Sequence, residues 1–150
     1  SIIGSSIADV FRKEADVEIK ANGECFVLFK NTLKKLLLIS TIPFVIFFIF
    51  APGLFEVVFG APWREAGDYA RILVPMFFLQ FVASPLSAMY IVRERQKSYL
   101  LVQVMLAICV ILSFFMESIE GAIMIISISF SLAYILMITK SLKLSMRNPS

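Results

Sequence analysis

Residues 36–55 are apolar almost without interruption, and no charged side chain falls among them. A helix packed on one face of a soluble core returns to polar residues every three or four positions. This stretch does not. Three further apolar stretches follow it, so that the four cover residues 33–55, 70–92, 98–116 and 119–139. About 20 residues rising roughly 1.5 Å each cross a bilayer core. The pattern therefore predicts an all-α fold, a polytopic membrane helix bundle of about four transmembrane helices.

Polar positions refine that prediction. Within the second stretch Gln80, Ser84 and Ser87 recur at helical spacing and share one face. Pro43, Pro75 and Pro85 each remove a backbone hydrogen bond inside a predicted span and permit bending there. Ser127, Ser131 and Tyr134 share a face of the fourth stretch, and Gln103 stands alone in the third. Small polar residues of this kind commonly join membrane helices to one another. Trp63 and Tyr69, just before the second stretch, suit an aromatic belt at the membrane surface.

Before the first stretch the pattern changes. Residues 2–11, IIGSSIADVF, are small and apolar and give way to FRKEADVEIK. They read as the last turns of an earlier helix, or as a short amphipathic anchor in the interface. The chain opens on Ser1 with neither Met nor the order of a signal peptide, so an earlier part of the protein is expected. Residues 12–31 are mixed in charge, with Asn22-Gly23 as a turn signal. Cys25, Phe26, Leu28, Phe29, Leu33 and Leu36 then make an amphipathic lead into the first span. The expected organisation is the tail of a preceding helix with a cytoplasmic amphipathic loop over 1–32, and a four-helix membrane segment over 33–150.

Composition agrees: the chain is 59% hydrophobic, with a mean hydropathy of +0.88, too apolar for an ordinary soluble domain. Charge adds orientation. Arg12, Lys13, Lys20, Lys30, Lys34 and Lys35 precede the first span. Arg93, Arg95 and Lys97 follow the second, and Lys140, Lys143 and Arg147 follow the fourth. Of the 14 basic residues only Arg64 and Arg71 remain for the other side. Cytoplasmic loops collect Lys and Arg, so four crossings with both ends cytoplasmic are expected. The net charge of +3 is a topology signal, and nothing in it indicates a nucleic-acid surface.

Soluble-enzyme chemistry finds little support. There is no His, which removes the commonest general base and metal ligand. Cys25 and Cys109 stand in no metal-ligand spacing, and the scattered glycines form no phosphate-binding loop. No catalytic residue, cofactor or metal is expected. Glu56, Glu65 and Asp68 read as solvated carboxylates of the outer surface.

Residues 59–97 resemble the polysaccharide-exporter branch, of the O-antigen and colanic-acid type, within the multidrug/oligosaccharidyl-lipid/polysaccharide flippase superfamily. The matching residues are Phe59, Gly60, Trp63, Glu65, Ala66 and Gly67, then Tyr69 to Leu73 with Pro75. They are followed by Ala83 to Ser87 and the basic run Arg95 to Lys97. The opening IIGSSIADVF is similar to the segment that enters the family's central cytoplasmic loop. Such proteins have about 12 to 14 helices in two lobes around a cavity. The resemblance therefore implies the end of a C-terminal lobe, with the N-terminal lobe missing from this chain.

It also implies a function and a place. A lipid-linked oligosaccharide, of the undecaprenyl-pyrophosphate type, would pass from the cytoplasmic to the outer leaflet of a bacterial inner membrane, amid its lipids. Arg71 is then the candidate to attract phosphate, or else an interfacial arginine that snorkels to headgroups or pairs with Asp68. Gln80, Ser84 and Ser87 are candidates to line the cavity, or else to pack against other helices. Two other readings stay open: the cation-coupled multidrug-extrusion branch, and a small four-span subunit with an assembly role. The first would be favoured by a carboxylate inside a span, and residues 70–116 hold none but Glu94, in the basic loop.

Overall fold

The computed structural model describes residues 2–146, with side chains from Ser6 onward. Every regular element among them is helical: α1 (Ile2–Asn22), α2 (Phe26–Phe59), a 3₁₀ turn (Ala61–Trp63), α3 (Arg64–Leu86), the short α4 (Met89–Val92), α5 (Gln96–Ser113) and α6 (Ile119–Met146). Four segments are long and apolar enough to cross a membrane: Phe26–Phe59, Ala61–Val92, Gln96–Ser113 and Ile119–Met146. The chain is an all-α, multi-pass membrane protein. Arg147, counted above with the basic residues, lies outside the described residues.

The N-terminal segment corrects one expectation. Residues 12–22 continue α1 as helix, so the expected loop shrinks to the few residues between Asn22 and Phe26. Ile7, Phe11, Ala15 and Ile19 recur every four residues and put one apolar face on the bundle. Opposite them the mixed charges lie on a wet face, where Asp16 and Lys20 pair at 2.6 Å one turn apart. The charges read as loop are the solvated side of an amphipathic helix. The helix ends where Gly23 takes φ +77° and its N–H donates to the Ile19 carbonyl at 2.8 Å, a left-handed cap that favours glycine. The division at 32/33 falls inside continuous α2.

The long helices run alternately up and down, so the connections gather at two ends. At one end the α1–α2 turn, the α4–α5 turn and the last turn of α6 converge. There the Cys25 N–H donates to the Ser145 carbonyl at 3.0 Å. At the other end the start of α3 meets the start of α6, around a cleft that Asp68, Arg71 and Glu120 share. The end of α1 and the end of α6 therefore lie together, at the end rich in Lys and Arg.

Two apolar clusters hold the bundle. The larger joins Phe11 and Ala15 of α1, Phe29 and Leu36 of α2, and Val82, Leu86 and Met89 from α3 and α4. The smaller joins Met76 and Ala83 of α3 to Tyr134 and Met137 of α6. The most extensive packing is between α2 and α3, and Gly67 explains part of it. A Cβ at Gly67 would stand 2.5 Å from the Cα of Pro52 and 2.8 Å from the Ala51 carbonyl oxygen. Only hydrogen fits. The backbones approach as membrane helices do where small residues meet.

Candidate functional site

Several hydroxyls in these spans are satisfied within their own helix. Ser40 donates to the Leu36 carbonyl at 2.7 Å, Thr41 to Leu37 at 2.6 Å, and Ser113 to Val110 at 2.7 Å. That local bond lets Ser and Thr sit in an apolar helix at little cost. Ser127 instead crosses to α3, donating to the Ile72 carbonyl at 2.6 Å. It is an inter-helix strut, as packing serine predicts.

Gln80 has no such outlet. A primary amide carries two donors and one acceptor, too many for its own helix to satisfy. Gln80 and Ser84 are both exposed, and among the described residues neither side chain has a hydrogen-bond partner. Ten residues separate Gln80 from Ala70, about 15 Å along the axis, which is half the depth of a bilayer core. Phe77 continues the same stripe, 43% exposed, so this side of α3 is uncovered from Phe77 to Ser84. Val74, Met76, Val82, Ala83 and Leu86 are buried on its other sides.

Ser87 belongs to this stripe but lies one residue past α3. Its hydroxyl donates to the Ser84 carbonyl at 2.7 Å and its N–H to the Ala83 carbonyl at 2.9 Å. Pro85 sits one residue before the end of α3, and the chain turns through Ser87 and Ala88 before α4 begins. The span is therefore broken near its basic end, where the polar stripe terminates.

Arg71 is elsewhere. Nine residues of α-helix make two and a half turns, so Arg71 and Gln80 leave opposite sides of α3. Its guanidinium Nη2 lies 3.8 Å from Asp68 Oδ1, in a cleft of about 450 Å³ shared with Glu65 and Glu120. The Arg71 Nε is buried without a partner. Three carboxylates make this cleft a poor place for a phosphate and a good one for holding an arginine. The structure brings together Gln80, Ser84 and Ser87; it does not bring Arg71 to them. Nearby, Phe55, Phe59 and Trp63 stack in sequence, with ring centroids 5.7 and 5.5 Å apart. Tyr69 donates its hydroxyl to Glu65.

One residue has a part the charge pattern did not reveal. Arg93 donates from Nε to the Leu144 carbonyl at 3.0 Å and from Nη2 to the Gly23 carbonyl at 2.9 Å. Those carbonyls belong to the C-terminal ends of α6 and α1, where a cation also meets the negative ends of the helix dipoles. Beside it Cys25 is buried, its thiol 3.7 Å from the Met89 sulfur. Burial, opposed in part by the Arg93 charge, pushes the Cys25 thiol up to about 11. It is a packed, neutral thiol with little nucleophilic character. No group of His, Cys, Asp or Glu among the described residues is placed to hold a metal. Comparison with protein-family models, with curated proteins and with solved structures yields no match.

Proposed function

We propose that this chain is part of a membrane flippase that carries a lipid-linked oligosaccharide from the cytoplasmic to the outer leaflet. The observation that carries the reading is the unsatisfied amide of Gln80, exposed with Ser84 at mid-membrane on a face that no described residue covers. An amide facing hydrocarbon costs several kcal/mol, so intramembrane polar residues normally face a bundle interior or a wet cavity. A polar stripe on one span of a lobe is what a pathway for sugar needs. The resemblance of residues 59–97 to polysaccharide exporters supports the same substrate class.

The basic end faces the cytoplasm in this reading, by the positive-inside rule, and the membrane is the bacterial cytoplasmic one. Both ends of the chain are then cytoplasmic, and a second lobe, or a partner in its place, faces the α3 stripe. Arg71 acts as an outer-surface arginine bound by carboxylates, which leaves phosphate recognition to residues beyond this chain.

Cysteine accessibility tests the wet stripe. In intact membranes, Gln80→Cys and Ser84→Cys should react with a charged, membrane-impermeant thiol reagent, whereas the α5 substitution Val104→Cys should not. If neither stripe position reacts, the face is covered or lipid-bound and the transport reading fails. Glycan export by cells carrying Gln80→Leu, at matched protein levels, should fall while Arg71→Ala has the smaller effect.

A further inference from the structure

The second groove of interest lies between α1 and α2, away from the polar stripe. The two helices touch sparsely, and the space between them is about 430 Å³. Each side is a helical stripe: Ser6, Ile7, Val10, Phe11 and Glu14 from α1, and Thr32, Lys35, Leu36 and Ile39 from α2. Both follow the three–four spacing of one helix face.

The two stripes are graded in the same sense. Because α1 and α2 run in opposite directions, Glu14 on one and Thr32 and Lys35 on the other meet at the basic end of the bundle. Deeper along the membrane axis the walls are apolar but for Ser6 at the far end, and Val10 and Ile39, which line them, are 56% and 64% exposed. The mouth is polar and the depth is greasy. That is the profile of an amphiphile, with its headgroup at the level where the lysines stop and the apolar span begins.

The mouth says which amphiphile. Glu14 and Lys35 carry opposite charges at one opening, yet among the described residues neither forms an ion pair or a side-chain hydrogen bond. A headgroup with one charge of each sign would satisfy both. We infer that the α1–α2 groove binds an aminophospholipid of the surrounding leaflet, its phosphate held by Lys35 and Thr32, its ammonium by Glu14, and one acyl chain between Val10 and Ile39. A purely anionic headgroup would leave Glu14 repelled, and free phosphate would leave the apolar walls empty.

Native mass spectrometry of the intact protein, released from detergent carrying equal phosphatidylethanolamine and phosphatidylglycerol, reads this directly. Phosphatidylethanolamine should be the lipid retained, one per protein. Glu14→Gln and Lys35→Gln should each reduce its retention by about tenfold, the loss of one charge-assisted contact. Val10→Trp, which fills the groove, should abolish retention while near-ultraviolet dichroism shows the protein folded. Preferred phosphatidylglycerol, with Glu14→Gln raising its retention, would overturn the headgroup assignment. Equal retention of phosphatidylethanolamine in all three variants would overturn the site, as would inorganic phosphate displacing the lipid.

Discussion

The two ends of this bundle are held by different kinds of interaction. At the basic end, Arg93 bonds two backbone carbonyls, Cys25 bonds Ser145, and Phe11, Phe29, Leu86 and Met89 are buried together. At the other end the ion pairs are wet: Arg64 with Glu56 at 2.6 Å, with side chains 65% and 38% exposed, and Arg71 with Asp68. Phe114 and Phe115 there are each 81% exposed. The basic end is a closed joint. The far end is held by the close approach of α2 and α3 and by α6 packed on α3, where Ser127 donates to the Ile72 carbonyl.

The largest expected loss comes from cutting the joint. Arg93→Ala should lower stability by about 3 kcal/mol, two charge-assisted bonds with their carbonyls left partly unpaired. Thermal unfolding in detergent would measure it. Arg93→Lys should restore less than half, since a single ammonium cannot reproduce a fork that reaches two helices. A wild-type melting temperature for Arg93→Ala would mean that the ends do not differ as described.

Next is Gly67→Ala, which drives a methyl into the Pro52 backbone. About 2 kcal/mol is expected, with the damage confined to the far end. Limited proteolysis should then cut around Ala61 sooner while the α1–α2 turn stays protected. Cleavage advancing equally at both ends would dissolve the contrast.

Cys25 reports on the closed joint more gently. Its thiol ionises near 11 rather than the usual 9.0, so at pH 8 the reactive thiolate is rarer by about a hundredfold. Alkylation by iodoacetamide should be correspondingly slow and should accelerate as pH rises toward 11. In Arg93→Ala it should be faster at every pH, because the opened joint admits reagent and water. The smallest effect belongs to Arg64→Ala, within about 0.5 kcal/mol, because exposed pairs contribute little. A larger loss would show the far end to be as rigid as the other.

Much of the architecture was legible because it rests on length and apolarity, which the chain displays openly. The four spans, the turn at Asn22-Gly23 and the gathering of basic residues at one end all follow from local pattern. The helicity of residues 12–22 was obscured because alternating charge marks both a loop and the solvated face of a helix; only the four-residue recurrence of Phe11, Ala15 and Ile19 separates them. Arg93 was counted as charge, since sequence shows that a cation is present and not which carbonyls await it. The separation of Arg71 from Gln80 was available from spacing alone, as nine residues are half a turn out of register. Gly67 stood in a motif, but its reason, the Pro52 backbone of another helix, is tertiary.

One consequence concerns the bilayer itself. Helix α5 has 18 residues, a length of about 27 Å, beside α6 with 28, about 42 Å. Leu106 and Ser113 of α5 are buried, and Tyr99 and Val102 pack on the bundle. Its other flank, with Leu100, Leu101, Val104 and Ile108, is exposed to lipid. A hydrocarbon core about 30 Å thick must therefore dimple by about 3 Å along that flank. The elastic cost of that dent falls on the lipids, and it should make the protein partition toward thinner membranes and draw short-chain lipids to its α5 side.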